Sequence, residues 1–360
     1  MMTSSAMLAP RSLLLTLIVG GALLLLLSIV FAAWTLVARL RFLRAEARRE
    51  AAQARWQRAV MDVLTGAVRP ERLLPVVAHD EQDAFLEYVS QLAARLRGEE
   101  VRRLQALARP FLLEVAARVR KQLRRRDPPV RARLLHAAAV LGSSELEREL
   151  LAGLDDRSPL VAMVAVRAMS RPLRAKLVGH VLRRLDRYAQ WSADQLAATL
   201  AGFGAEAASA IRRTLESTAA SPRTRTIAAD ALARLNDAAS ADLAARTLAK
   251  TTDVELISAC LRLIERVGRA EHCRAVRALA AHESASVRLY AVGVLAELGG
   301  DAESPVLARA LRDPSPWVGL RAAAALRRHG RHDVLAAAAS GSDRASEIAR
   351  EALHVMGRAA

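Results

Sequence analysis

The chain has 360 residues, of which 52% are apolar, 25% charged and only 3% aromatic. Leucine and alanine carry most of the apolar share, which favours helices over sheets and excludes intrinsic disorder. Two cysteines, Cys260 and Cys273, are too few for a disulfide framework. The net charge of +17 rests almost entirely on arginine. Such a charge suits anionic lipid or an acidic partner as well as nucleic acid.

An uncharged segment near the N-terminus predicts a transmembrane helix. Residues 12–38 lie between Arg11 and Arg39 and contain no charged side chain. As a helix they would span about 40 Å, against a hydrocarbon core of about 30 Å. Trp34 lies near the end of the segment, where an indole ring favours the headgroup level. A cleaved signal peptide is the alternative reading, but its apolar region has only about 7–15 residues.

Basic residues follow this segment and set its orientation. Five arginines are candidate juxtamembrane residues: Arg39, Arg41, Arg44, Arg48 and Arg49. By the positive-inside rule we expect a single-pass protein of the bacterial inner membrane, with residues 1–11 outside and the C-terminal part in the cytoplasm. Residues 39–66 have no proline and no glycine before Gly66, and they predict a helix that continues the span. Its arginines either contact anionic headgroups or form solvated pairs such as Glu46–Arg49.

In residues 67–126, apolar side chains recur at helical spacing, but they do not follow the repeat period of the later part of the chain. We predict four helices here: 73–77, 80–96, one from Glu99, and one that Pro110 begins and that ends near residue 126. They form either a divergent N-terminal cap of the array that follows or a separate small bundle.

A period of about 31 residues runs through residues 127–360. Helix-ending residues mark it: Gly142, Gly204, Asn236, Gly268, Gly299, Gly330 and Gly357. Glycine and asparagine tolerate the left-handed conformation that commonly ends a helix. Near residue 173, where no such residue stands, Pro172 breaks the helix instead.

Each unit of this period predicts two helices. The first has one apolar face with i, i+4, i+8, i+11 spacing, as in Val287, Ala291, Leu295 and Leu298. A small residue recurs on that face and permits close helix packing: Ala138, Cys260, Ala291 and Ala322. Aspartate or serine before proline begins many first helices, and a shorter apolar helix follows each stop. The predicted fold class is therefore all-α, an α-solenoid of helix pairs.

Three segments carry a resemblance to a known family: DPPVRARLLHAAAVLG from Asp127, SASVRLYAVGVLAELGG from Ser284, and DPSPWVGLRAAAALRRHG from Asp313. They resemble HEAT repeats in the short bacterial form, similar to phycobilisome-lyase-like repeats. The family's Val-Arg pair stands at Val130-Arg131 and at Val287-Arg288. The resemblance implies a right-handed α-solenoid over residues 127–360, with seven repeats and a truncated eighth as a cap. It implies nothing specific about function.

Sequence motifs for catalysis are absent. The chain has no Walker A motif, no G-x-S-x-G, no H-E-x-x-H and no Cys-x-x-Cys. We therefore predict no enzyme, no cofactor and no metal. A metal site at His272, Cys273 and His282 is the alternative, but we expect Cys273 on an apolar helix face and Cys260 in the core.

A basic run offers a candidate surface for an acidic protein partner or lipid headgroups. Its residues are Arg118, Arg120, Lys121, Arg124, Arg125, Arg126, Arg131 and Arg133. A second basic run extends from residue 171 to residue 187. Nucleic acid is disfavoured because only Tyr188 and Trp191 could stack on bases nearby. A solvated basic face is the remaining alternative.

The resulting hypothesis is a non-enzymatic, membrane-tethered scaffold that binds another protein through a cytoplasmic solenoid. Analogy with the resembling family suggests envelope or exopolysaccharide machinery as its setting. Two alternatives stay open: a phycobilin-lyase-like or other small-ligand-handling protein, and a nucleic-acid-binding solenoid.

Overall fold

A computed structural model of the chain describes residues 8–69, 76–93, 95–96, 98–122, 127–141, 147–170 and 172–357. All regular structure within these residues is helical, which confirms the all-α prediction. The chain divides into two compact units. One contains residues 1–122 with 140–143, and the other contains residues 123–139 with 144–360.

Among its described residues, the first unit contains three α-helices: α1 (Leu8–Leu64), α2 (Gln82–Ala93) and α3 (Glu99–Gln122). With 57 residues, α1 is about 85 Å long. It has no break between its apolar and its arginine-rich parts because neither proline nor glycine interrupts that junction. Of the helices described, only α1, from Val19, is long and apolar enough to cross a membrane. Its apolar side chains are exposed there, with Leu24 at 69% and Phe31 at 64%.

The last turns of α1 have a different role, which the sequence did not reveal. Ala52, Trp56, Val60 and Val63 are buried, and together they form one apolar stripe along the helix. The Trp56 ring lies edge-on to Phe85 of α2, with 5.4 Å between ring centroids. The C-terminal part of α1 is therefore a core helix of the first unit.

The prediction that Pro110 begins a new helix is wrong, because α3 runs through it. A proline inside a helix costs about 3 kcal/mol through its missing N–H and its ring clash. On both sides of the exposed Pro110, Leu104, Leu107, Phe111 and Leu112 are buried. This shared apolar stripe offsets the cost and keeps the two halves in one helix. The helix predicted at 73–77 falls largely outside the described residues.

As far as the structure describes it, the second unit has seven helix pairs and a final helix, α18 (Arg344–Gly357). The first helices of the pairs are α4 (Pro128–Val140), α6 (Pro159–Met169), α8 (Ala193–Ala201), α10 (Pro222–Leu235), α12 (Val254–Val267), α14 (Ala285–Leu298) and α16 (Pro316–Arg328). The second helices are α5 (Glu147–Gly153), α7 (Val178–Leu182), α9 (Ala208–Glu216), α11 (Ala241–Leu248), α13 (Cys273–Val276), α15 (Ser304–Ala310) and α17 (His332–Ala339). From α8 to α16, each first helix packs against the next, which makes this unit an α-solenoid.

The core of the solenoid lies on the predicted apolar face of the first helices. Val287, Ala291 and Leu295 are fully buried in α14, whereas Leu298 is only partly buried. The same positions are buried in the neighbouring first helices: Leu256, Cys260, Ile264, Val318, Ala322 and Leu326. Each face is buried only because another repeat covers it.

The predicted helix stops have two different geometries. Asn236, Gly204 and Gly330 adopt positive φ angles of 52°, 79° and 69°, as expected for left-handed stops. Gly268 and Gly299 also end their helices as predicted, but their backbones are extended, so the left-handed conformation is wrong at these two positions. A Cβ atom there would overlap the carbonyl oxygen four residues earlier, so glycine is needed for close approach. Gly142 lies outside the described residues.

Two arginine–aspartate pairs link neighbouring repeats. The Arg131 guanidinium donates two hydrogen bonds of 2.8 and 2.9 Å to Asp156, just before α6. Arg288 makes the same pair with Asp313, just before α16, at 2.7 and 2.9 Å. The second pair is nearly buried, with the side chains 14% and 6% exposed. In both cases the Val-Arg arginine of one repeat holds the turn that begins the next first helix.

These pairs change the acidity of their carboxylates. Burial acts to raise the pKa of Asp313, but hydrogen bonds from Arg288 and from the Ser315 N–H, with the arginine charge, outweigh it and lower the pKa overall. The pKa of Asp156 is lowered by the same balance. A lowered folded-state pKa stabilises the fold above the ordinary carboxyl pKa, near 3.9, and that stabilisation is lost as the pH falls further.

We predict that Trp56→Ala lowers the unfolding free energy of the full-length protein in detergent by about 3–5 kcal/mol, because a large ring leaves a packed core. Trp34→Ala is the matched control, since Trp34 is 65% exposed. Thermal unfolding followed by circular dichroism measures both. Equal effects of the two substitutions would contradict burial of the end of α1.

We predict that Asp313→Asn lowers the unfolding free energy at pH 7 by about 3–5 kcal/mol, because it leaves the nearly buried Arg288 without its counter-charge. The difference from the parent should shrink below about pH 4, as the parent carboxylate takes up a proton. Denaturant unfolding across that pH range measures it. Glu297→Gln, in an exposed pair with Arg328, should change little at either pH.

Candidate partner-binding surface

The residues of the predicted basic surface differ in their exposure to solvent. Arg133 is exposed on α4, whereas Arg131 is only 13% exposed and is bonded to Asp156 of the next repeat. The last turns of α3 contain Arg118, Arg120 and Lys121, whose side chains are not among those described. The remaining members of the run, Arg124, Arg125 and Arg126, lie outside the described residues. Arg131 is therefore engaged within the fold, and the rest of this surface stays a prediction.

The predicted juxtamembrane arginines lie along α1. The side chains of Arg39, Arg41, Arg44 and Arg48 are exposed, and that of Arg49 is outside the description. Further along the helix, Arg55 forms an ion pair with Glu81 and thereby belongs to the first unit's surface. Contact of the exposed arginines with lipid stays a prediction.

An open groove of about 770 Å³ crosses the first helices of the solenoid. Side chains from α8, α10, α12 and α14 line it, among them Asp194, Thr226, Asp230, Arg234, Glu255, Arg262, Arg266 and Tyr290. The groove combines aliphatic, aromatic and charged groups on rigid helices. Such a mixture suits a polypeptide segment, because aromatic and arginine side chains supply most of the binding energy at protein interfaces.

Four of the six charged residues that line the groove are paired between neighbouring helices. Arg262 of α12 donates two hydrogen bonds of 2.9 Å to Asp230 of α10. Its guanidinium also lies 5.0 Å from the centroid of the Tyr290 ring, within cation–π distance. Burial raises the pKa of Asp230, although the charge of Arg262 opposes this. Arg234 of α10 forms an ion pair with Asp194 of α8.

One ion pair connects two first helices that are separated by a third. Arg321 of α16 reaches Glu265 of α12 by crossing over α14 at Gly293. A Cβ atom at Gly293 would overlap the guanidinium, so glycine is required for this crossing. With the Glu297–Arg328 pair, these contacts continue from α8 to α16. The first helices from α8 to α16 are therefore linked by a series of ion pairs.

A cluster of ligating groups lies on the second helices, at a site the sequence did not predict. Asp242, Glu271 and His272 bring one oxygen or nitrogen atom each within 4.8 Å of one another. Cys273 and His282, which the sequence offered as companions of His272, are not part of it. The ring of His272 is hydrogen-bonded to Asp242 at 3.0 Å and to the Arg269 N–H at 2.9 Å. These bonds account for the cluster as a contact between neighbouring repeats.

Both cysteines are free thiols inside the core, as expected for Cys260. Burial raises the pKa of Cys260 to about 12 and also raises the pKa of Cys273. A buried, protonated thiol is a poor nucleophile and a poor metal ligand. The role of both residues is therefore packing.

Sequence reasoning missed the partners of the Val-Arg arginines, although a signal was present. Arg131 precedes Asp156 by 25 residues, and Arg288 precedes Asp313 by the same 25. A search for charged residues at this repeated spacing would have found both pairs. The cross-helix pairs of the groove have no single spacing, so only the packing of the first helices reveals them.

Comparison with known proteins agrees with this architecture. A family model described as HEAT repeats matches residues 247–327, which contain α12 to α15 and most of α16. No curated protein is significantly similar to the sequence.

Two solved structures show weak likeness. An engineered protein is 18% identical, with a TM-score of 0.34, over 59% of this chain and 96% of that one. The karyopherin Kap121p, bound to the extreme C-terminus of the phosphatase Cdc14p, is 12% identical with a TM-score of 0.36. That match covers 83% of this chain but only 44% of the karyopherin. The helix pairs of the second unit form an α-solenoid, and residues 247–327 of it match HEAT repeats.

Proposed function

We propose that this protein is a non-enzymatic scaffold, tethered to the bacterial inner membrane by α1, that binds another protein through its solenoid in the cytoplasm. The observation that carries the scaffold function is the open groove over α8 to α14. Its lining residues lie on mutually packed helices, and Asp194, Asp230, Arg234 and Arg262 are already paired in charge. The groove therefore favours the binding of a peptide segment over the binding of a free ion.

The tether rests on the exposed apolar part of α1. The side chains from Leu23 to Leu27 are each 59–69% exposed, and Ile29, Val30 and Phe31 are similar. Burial of one such side chain in an apolar environment contributes about 1.5–3 kcal/mol, so eight of them strongly favour a bilayer over water. Exposed arginines follow directly, which supports a cytoplasmic C-terminal side.

The resemblance to short bacterial HEAT repeats suggests a client from envelope or exopolysaccharide machinery. Tethering would confine the solenoid to a thin layer beside the membrane and raise its effective concentration toward membrane-bound clients. This setting is an analogy, and the client itself is open to experiment.

We predict that deletion of residues 12–38 moves the protein from the membrane pellet to the soluble fraction. Fractionation followed by immunoblotting measures this, and a Trp34→Ala variant, which keeps the segment, should stay in the pellet. A cytoplasmic reporter fused to the C-terminus should be active in the parent. A soluble parent, or a reporter that is active only outside the cytoplasm, would contradict the tether as proposed.

We predict that charge reversal in the groove, Asp194→Arg with Glu255→Arg, reduces recovery of the client protein at least about tenfold, since it adds like charge beside Arg234 and Arg266. Affinity capture in detergent with quantitative mass spectrometry measures recovery. The matched control reverses Glu347 and Glu351, which are exposed on α18. A coloured ligand or nucleic acid in place of a protein client would support one of the two alternative functions.

A further inference from the structure

A row of arginines runs along the second helices of the solenoid. Each of these arginines is exposed. In every case the residue two positions before it and the residue two positions after it are both buried. The arginines are Arg183, Arg213, Arg246, Arg274 and Arg309, and we call them the arginine strip. The flanking positions are Val181 and Leu185, Ile211 and Leu215, Ala244 and Leu248, His272 and Val276, and Leu307 and Leu311. This common register places the five side chains on the outer side of successive second helices.

The arginine strip differs from the first helices in its electrostatics. Within the described residues, none of its members forms an ion pair, and Arg183 contacts only the Nδ1 atom of His180, at 3.3 Å. The neighbouring Arg184 and Arg277 are, by contrast, bonded to Asp155 and Glu303. Unpaired arginines such as Arg167 and Arg327 also occur on first helices, so the strip is set apart by its common register from repeat to repeat.

Helix polarity explains the position of these arginines but leaves their charge available. Arg213, Arg246, Arg274 and Arg309 lie in the last turn of their helices, where a cation is favoured. A helix end carries only about half an elementary charge, which is shared with solvent. Each guanidinium therefore keeps hydrogen-bond donors and most of its charge for a partner.

A hollow of about 470 Å³ opens between the first two members of the strip. Arg183 and Arg213 line it together with Leu182, Ala210, Thr214, Ser217 and Thr224. Asp186 also lines it, but its carboxylate accepts hydrogen bonds from Ser221 and Thr224. The hollow thus combines two guanidinium groups, the Ser217 hydroxyl and the apolar side chains of Leu182 and Ala210.

We propose that the arginine strip is the docking site for an acidic polypeptide segment, with one acidic side chain seated between Arg183 and Arg213. A guanidinium group can bind a carboxylate through two parallel hydrogen bonds. A guanidinium that has no ion pair in the free protein does not have to break one in order to form these bonds. At roughly 10 Å per repeat, four steps cover about 40 Å, which an extended segment of about 12 residues matches. This inference rests on the proposed scaffold function, and it specifies that the client protein carries an acidic segment.

The hollow favours a polypeptide over a bilayer, because a flat headgroup surface does not enter a pocket of this size. It also favours a polypeptide over nucleic acid, which would need exposed rings for base stacking. The aromatic residues nearest to Arg183, Tyr188 and Trp191, stack on each other with 4.4 Å between centroids. Tyr188 is buried, and its hydroxyl donates to the Leu154 carbonyl.

The test uses the full-length protein in non-ionic detergent and a fluorescein-labelled 12-residue peptide of alternating glutamate and serine. Fluorescence anisotropy at low salt measures its affinity. A variant with Arg183→Gln, Arg213→Gln, Arg246→Gln and Arg309→Gln should bind at least about fourfold more weakly, which is the loss expected when four exposed ion pairs at the weak end of their range are removed. The glutamine counterpart of the peptide should bind weakly to both proteins.

A control variant removes the same charge elsewhere: Arg157→Gln, Arg167→Gln, Arg344→Gln and Arg350→Gln, all exposed and outside the strip. It should bind the acidic peptide within about twofold of the parent. Circular dichroism verifies that both variants are folded. Equal peptide affinity of the strip variant and the parent would overturn the proposal. So would loss of binding to phosphatidylglycerol-containing micelles with peptide binding unchanged, which would assign the strip to lipid.

Client capture separates this inference from the proposed function. If the groove variant loses the client while the strip variant keeps it and still binds the acidic peptide, the scaffold stands and the strip proposal falls. If neither variant nor the parent recovers a protein client, the scaffold function falls, whereas the peptide measurement still decides whether the strip binds acidic chains.

Discussion

The second unit depends on the contact between neighbouring first helices. Each first helix has one apolar face with a small residue near its middle, as at Cys260, Ala291 and Ala322, and these residues are fully buried. Small side chains let the helices approach closely, and the burial of the larger residues around them supplies the stabilisation. One helix pair has no partner for this face, so the fold requires an array.

Charge is arranged around that apolar contact in two ways. On the first helices, arginines bond to acidic residues of the neighbouring repeats, from Arg131–Asp156 to Arg328–Glu297. On the second helices, the five members of the arginine strip have no ionic partner among the described residues and share one register from repeat to repeat. Unpaired arginines such as Arg167 and Arg327 lie on first helices as well, so the register of the strip, and not its charge alone, distinguishes it. An acidic segment would bind along this row, whereas a partner recognised by shape and aromatic contact would bind in the groove over the first helices.

The long helix α1 combines two environments in one element. Its apolar part exposes leucine and phenylalanine side chains that water solvates poorly, while Trp56 and Val60 near its end are buried in the first unit. Because the end of α1 packs in the core of the first unit, the position of α1 determines the position of that unit. In our proposal this helix joins the bilayer to the first unit without a flexible linker.

The sequence by itself determined the helical class, the repeat period and the apolar face, because 3.6-residue periodicity and helix-ending residues are local signals. It also indicated Cys260 as a core residue. Pro110 and the glycines at 268 and 299 were misjudged, since packing decides whether a helix tolerates proline and how closely backbones approach. Only the tertiary structure decided which arginines are free. Arg131 and Arg183 look alike in sequence, but one faces Asp156 of the next repeat and the other faces solvent. Pairing depends on distances between repeats, which the order of residues does not contain.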